Sequence, residues 1–200
     1  MRARDLSSLS REQLMAVMRA GHPIAPLDLD DTEYHGVSLG LPRALERVTW
    51  KTFIKAFYRR PGSGQLWGWN VRVRQDEPDK YRPMMRRGQP LTFGHFRVLE
   101  ARGQVMPRPY EHGLLLDYGA GRRGRLDPLG ALRDPIVAVR AGSSDLLLGW
   151  SYLQLGRLQV PTPSFFSLVR AGPLTHVAPA PSHPGSSDHM NSQGSSSSDR

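Results

Sequence analysis

The run Asp145-Leu-Leu-Leu-Gly-Trp-Ser-Tyr-Leu-Gln-Leu-Gly156 is apolar at nearly every position, and Ser164-Phe-Phe-Ser-Leu-Val-Arg170 follows it beyond Pro161-Thr-Pro163. Both runs have the length and the aromatic and aliphatic content of strands, and the glycine and prolines between them break regular structure. They predict a β-hairpin, the last two strands of an antiparallel sheet. Alternation puts Leu146, Leu148, Trp150 and Tyr152 on one face, and Leu147, Gly149, Ser151, Leu153 and Leu155 on the other. A strand apolar on both faces must be covered on both. One face is therefore expected to line a barrel or sheet interior, and the other to meet a helix or a second copy of the chain in a homodimer.

Elsewhere the period alternates between helix and strand. Ser10 with Gln13 makes a capping box, opening a helix that carries Leu14, Val17 and Met18 on one face and stops at Gly21. Residues 22–33 read as a connector, and Tyr34 to Leu39 as a short strand. Leu41 to Tyr58 reads as helix in two pieces, because Trp50, Phe53, Ile54 and Phe57 fall at i, i+3, i+4 and i+7. Beyond Gly64 the period becomes two: Trp67, Trp69, Val71 and Val73 alternate with Gly68, Asn70, Arg72 and Arg74, which predicts a strand with an apolar inner and a polar outer face. Further strands are predicted at Leu91 to Ala101, Gly113 to Tyr118, Ile136 to Arg140, Leu146 to Leu155 and Phe165 to Arg170. The expected fold is mainly β with N-terminal helices (α+β): an antiparallel meander closing into a lipocalin-like β-barrel, with helices packed on or capping it. Residues 1–174 form this one domain, and 175–200, made of Ser, Pro, Gly and His, form a disordered tail.

Composition narrows the function. Cysteine is absent from the 200 residues, which removes disulfides, thiolate metal sites and cysteine nucleophiles together. The N-terminus lacks the apolar run of a secretory signal, and no stretch approaches the ~18 apolar residues of a membrane span, so a cytoplasmic location is expected. The net charge of +9 invites a nucleic-acid partner. Against that, only Lys51, Lys55 and Lys80 are lysines, and the arginines are scattered without a basic helix face or a reader motif.

The segments Tyr34/Gly36, Gly40-Leu-Pro42 and Trp50/Lys55/Phe57, followed by Leu114-Leu-Leu-Asp117, Leu132-Arg-Asp134, Leu146-Leu-Leu-Gly149 and Ser164 to Arg170, resemble the GXWXG family of small lipocalin-like bacterial proteins. At the signature itself, Thr32 stands in place of the first glycine and Tyr34 in place of tryptophan. The resemblance implies a calycin-type barrel of unassigned function that holds a small apolar molecule.

Candidate chemistry is sparse. Gly36-Val-Ser-Leu-Gly40 matches a nucleophile-elbow pattern, but Ser38 follows only a helix and a loop, not the parallel sheet an elbow needs. His22, His35, His95 and His112 never share a turn or alternate on a strand, which disfavours a metal site; His95 alone is placed to serve as an axial ligand if a barrel of this kind held haem. Asp117 and Asp134 are candidate pocket acids or bases. Closing the meander is expected to bring Trp67 and Trp69 towards Trp150 and Tyr152 in a common interior. There, with Phe93, they would line a ligand site whose polar groups are His95 and Arg97. The expected function is non-catalytic binding of a small apolar or amphipathic molecule, with nucleic-acid binding or a small enzyme using the same pocket as the rival readings.

Overall fold

The computed structural model describes residues 1–39, 51–107, 112–121 and 127–178. Its strands are β1 (Thr32–Leu39), β2 (Thr52–Arg59), β3 (Leu66–Arg72), the two-residue β4 (Met85–Arg86) and β5 (Gln89–Pro90), β6 (Thr92–Glu100), β7 (Leu114–Gly121), β8 (Leu132–Arg140), β9 (Ser143–Leu155) and β10 (Leu158–Pro173). β4 and β5 pair only with each other, and the other eight close an antiparallel barrel in which each strand lies beside its sequence neighbour. β10 returns to β1, with Gly36 opposite Leu168 and Ser38 opposite Phe166, so no edge of the sheet is left open. The expected mainly-β fold, a meander closed into a barrel with short N-terminal helices, is the one formed.

The predicted terminal hairpin forms, with Leu155 opposite Leu158 across the turn. The prolines expected to interrupt it instead make an irregularity within β10, where the register with β9 shifts between Pro161 and Phe165. A proline cannot donate to a ladder, and a bulge is where a strand tolerates one. The groups freed there are taken up locally: Trp150 Nε1 donates to Thr162 O at 2.9 Å and Thr162 Oγ1 to Ser151 O at 2.6 Å.

Helix α1 (Ala3–Leu6) and helix α2 (Arg11–Arg19) lie against the outside of the barrel. The capping box is present: Ser10 N donates to Gln13 Oε1 at 2.8 Å, and Gln13 N to Ser10 Oγ at 3.3 Å. Leu6, Leu14, Met15 and Met18 pack with Val137, Leu146, Leu148, Trp150 and Tyr152. These helices therefore cover one of the two apolar faces of β9. The connector forms a 3-10 turn (Pro26–Leu29), and Ile24 and Leu29 join Tyr34, Phe57, Leu114 and Ile136 in the interior, sealing one end of the barrel.

Two expectations need correction. Thr52–Arg59 is strand β2 and not the second part of a helix; Trp50 lies outside the described residues. Phe53 and Phe57 belong to the interior whereas Ile54 and Ala56 belong to an outer cluster, so the stripe read at helical spacing is an alternating strand covered on both sides. On β3 the faces are exchanged. Trp69, Val71 and, just beyond the strand, Val73 pack outside, with Ile54, Tyr58, Tyr81, Leu174 and Ala178, and the face carrying Gly68 and Asn70 turns inward. The chain after β10 supplies part of that cover. Leu174 N donates to Asp31 O at 2.7 Å, Thr175 N and Oγ1 donate to Glu33 Oε1 at 2.9 and 2.7 Å, and Ala178 is buried. Residues 175–178 are thus docked; of the expected disordered tail, 179–200 lie outside the described residues.

Candidate functional site: a hollow barrel end with a buried polar floor

The interior differs between the two ends of the barrel. At the sealed end Tyr34, Phe57, Leu66, Leu114, Ile136, Leu147 and Leu168 fill the space between the strands. At the other end lies a cavity of about 250 Å³, with Phe53, Phe93, Leu129, Leu132 and Phe166 as apolar wall and Ser38, Lys55, Asn70, Tyr118, Asp134, Ser151 and Ser164 as polar lining. An eight-stranded barrel is near the size at which side chains either fill the lumen or leave room for one small ligand. Here the two outcomes occupy opposite ends.

Strand alternation places the polar group. On β2 it turns Phe53, Lys55 and Phe57 inward, on β7 Leu116 and Tyr118, on β8 Leu132, Asp134 and Ile136, and on β9 Leu147 and Ser151. Lys55 is 1% exposed and Asp134 4%, so neither charge is accounted for by water. They compensate each other through the Tyr118 hydroxyl, and Ser151 adds a second donor to the carboxylate. Lys55 Nζ donates to Tyr118 Oη at 2.7 Å, Tyr118 Oη donates to Asp134 Oδ2 at 2.9 Å, and Ser151 Oγ donates to Asp134 Oδ1 at 2.7 Å. Directly, Lys55 Nζ stands 3.8 Å from Asp134 Oδ2. Asn70 Nδ2 donates to Gly94 O at 3.2 Å and reaches Tyr118 Oη at 3.5 Å.

Aromatic rings complete the surroundings of the ammonium. Lys55 Nζ is 4.8 Å from the ring centre of Phe96, 5.1 Å from Phe166, 5.4 Å from Tyr118 and 5.6 Å from Phe53. Negative ring faces stabilise a cation that water does not reach. The rings are seated by glycine. Gly36 stands opposite Phe53, Gly68 opposite Phe96 and Gly149 opposite Phe166 on neighbouring strands. A Cβ at any of these glycines would overlap the ring beside it.

Burial sets the protonation balance. It pushes the Lys55 amine down to about 8 from 10.5, partly opposed by the negative Asp134. It pushes the Asp134 carboxyl up from its ordinary 3.8, opposed by Lys55 and by the hydroxyls of Ser151 and Tyr118. The Tyr118 phenol is held well above 10, by burial first and by the neighbouring carboxylate second. All three shifts favour the uncharged forms.

Of the aromatic, His and Arg residues expected to line the site, Phe93 alone lines this cavity, and of the two candidate pocket acids or bases Asp134 does. Trp150 and Tyr152 lie under the N-terminal helices, and Trp69 is in the outer cluster on β2 and β3. Trp67 carries Arg60 over its ring at 4.7 Å. His95 is buried beside Trp69, with ring centres 6.1 Å apart, and Arg97 pairs with Trp67 across β3 and β6. The two aromatic pairs therefore do not converge on a common interior, because on both β3 and β9 the larger rings take the outward face. Asp117 is also turned away from the cavity, 3.0 Å from Arg133. Ser38 lines the cavity from within β1, opposite Phe166 of β10; the chain from Gly40 to Trp50 lies outside the described residues. Among the described residues no cluster of His, Asp and Glu is arranged to hold a metal.

Lys55, Asn70, Tyr118 and Ser151 were not expected. The available signal for Lys55 was its place between Phe53 and Phe57 at i−2 and i+2, a charge set within an apolar strand face. Two larger depressions, of about 340 and 720 Å³, lie elsewhere. Their charged groups, Glu100 and Arg102 in one and Arg74 and Asp76 in the other, are exposed, so water competes for any polar ligand there.

Among the described residues, fold and site together define a small β-barrel packed at one end and hollow at the other, with a charge-neutral polar cluster as the floor of the hollow. Set against protein-family models, curated proteins and solved structures, the chain matches none.

Proposed function

We propose that this protein binds one small, compact, mostly apolar molecule bearing a neutral polar group in the hollow end of its barrel, a narrower form of the small apolar ligand that the resemblance to lipocalin-like proteins implies. The observation that carries this reading is the pairing of an apolar wall with a buried, hydrogen-bonded polar floor. Such a floor is costly to build, and orienting the polar end of a ligand is what pockets of this kind use it for. Size limits the ligand. A cavity of about 250 Å³ exceeds the ~150 Å³ that holds benzene and falls short of the ~300–1,000 Å³ of drug-sized sites. One or two rings fit; a long acyl chain does not.

Charge limits it further. Lys55 and Asp134 already offset one another, so an added carboxylate would be a buried charge without a partner. A hydroxyl or carbonyl instead exchanges hydrogen bonds with Tyr118, Asn70 or Ser151. The test is calorimetric titration with 2-naphthol, naphthalene, 2-naphthoate and oleate. One 2-naphthol is expected to bind per chain, about 1 kcal/mol or roughly fivefold tighter than naphthalene, with 2-naphthoate weaker and oleate not entering. Leu132→Trp, which fills the cavity from its wall, should abolish binding. The reading fails if 2-naphthol does not bind, or binds Leu132→Trp as well as the parent.

A further inference from the structure

We propose that Lys55 is a covalent capture residue: its amine condenses with the carbonyl of a compact aldehyde held in the cavity, forming a reversible imine. This rests on the ligand-binding reading and narrows the ligand to a carbonyl compound. Three features of the geometry carry it, and a merely structural ion pair requires none of them together. The amine lies on the cavity wall, where a bound ligand meets it. A hydroxyl relay runs from Lys55 through Tyr118 to Asp134, with steps of 2.7 and 2.9 Å. Aromatic faces stand 4.8–5.6 Å from Nζ, positioned to stabilise a cationic nitrogen whether it is an ammonium or an iminium.

The relay provides the nucleophile. A proton passing from Lys55 to the Tyr118 oxygen, as the Tyr118 proton passes to Asp134, converts the ammonium–carboxylate pair into amine and carboxylic acid. The low amine pKa and the raised carboxyl pKa both lie in that direction. A desolvated lysine with a free electron pair is the form that attacks carbonyl carbon.

The chemistry closes without an outside reagent. The Lys55 nitrogen pair forms the C–N bond as the carbonyl π pair moves onto oxygen, and one amine proton is transferred to that oxygen, giving a carbinolamine. Asp134 then returns its proton through Tyr118 to the carbinolamine hydroxyl, which leaves as water as the C–O bond breaks. The products are a protonated imine on Lys55, the Asp134 carboxylate as its counter-ion, and one water; nothing is oxidised or reduced.

The chain offers its own controls, because Lys51 and Lys80 are the other lysines and both are exposed. The full chain is incubated with 2-naphthaldehyde and cyanoborohydride near pH 8, where about half of an amine of that pKa is unprotonated, and the labelled lysine is mapped by mass spectrometry. Lys55 is expected to be alkylated to one equivalent, roughly tenfold or more faster than Lys51 or Lys80, with 2-naphthol protecting it. Lys55→Met should lose that fast phase while its circular dichroism stays that of the parent. Equal rates at the three lysines, or no label on Lys55 in a protein that does bind 2-naphthol, would overturn the imine and leave the binding reading intact. If neither 2-naphthol nor the aldehyde is taken up, both fail.

Discussion

Lys55 is the residue on which the interior turns, and its energetics depend on Asp134. Removing one member of a buried pair strands the other, whereas replacing both by apolar groups removes the desolvation cost as well. Asp134→Asn should therefore cost about 3–5 kcal/mol in urea unfolding, and Lys55→Met combined with Asp134→Leu should cost clearly less than Asp134→Asn alone. Equal or larger loss in the double variant would mean that the charges do not interact as their 3.8 Å separation implies. The amine also makes stability depend on pH. Between its folded value of about 8 and the ordinary 10.5, the unfolded chain holds a proton on Lys55 that the folded chain has released. Stability therefore rises with pH across that window and is lost as pH falls through the folded value. Tyr34, raised to about 12, and Tyr118, raised well above 10, work the other way once unfolded tyrosines begin to ionise near ~10. The rise is thus to be read between about pH 8 and 9.5, and Lys55→Met should lose it.

Among the elements, the cross-strand glycine–phenylalanine pairs decide where space remains. Phe166 lies over Gly149, so its ring forms a wall of the cavity and does not fill the lumen. Gly149→Ala should cost about 1–3 kcal/mol, the range for forcing extra volume into a packed interior, and should weaken 2-naphthol binding because Phe166 must move. A fully stable variant with unchanged binding would show that the ring has room to spare. These pairs also explain what could be read from the sequence. The β9–β10 hairpin was legible because both faces of β9 are apolar and both are covered, one by the barrel and one by helices. β2 was not, because Phe53, Ile54 and Phe57 fit a helical stripe as well as a strand, and a lysine between them looks like a solvent position. β3 was found but turned over. Its polar positions, Gly68 and Asn70, are the ones the interior needs, Gly68 for the Phe96 ring and Asn70 for Tyr118. A polar-out rule fails wherever the lumen itself is polar.

On the scale of the whole molecule, the fold class follows from the order of strands and turns. The site does not, because its lining is drawn from all eight strands of the barrel and comes together only on closure. Surface charge is less uniform than +9 suggests: Arg59 pairs with Asp30 at 2.5 Å, Arg74 with Asp76 at 2.7 Å and Arg133 with Asp117 at 3.0 Å, and Lys55 is buried. Truncation tests the boundary of the domain. Deleting 179–200, whose composition offers little apolar area to bury, should leave the melting temperature unchanged. Deleting from Leu174 removes the bonds to Asp31 and Glu33 and the cover over Trp69, and should lower it by several degrees, since ~1 kcal/mol shifts a domain of this size by about 2–4 °C. Equal melting temperatures for the two truncations would mean that the docked segment contributes nothing.

The claim that the barrel is hollow at one end and packed at the other is tested most directly by locating a bound ligand. Nuclear Overhauser effects from 2-naphthol in the isotope-labelled protein should reach the Phe53, Phe93 and Phe166 rings and the Leu132 methyls, with amide shifts concentrated at Lys55, Asn70, Tyr118 and Ser151. Contacts to the Trp150–Tyr152 face or to the Trp69 cluster, or shifts confined to the sealed end around Tyr34 and Ile136, would contradict the account.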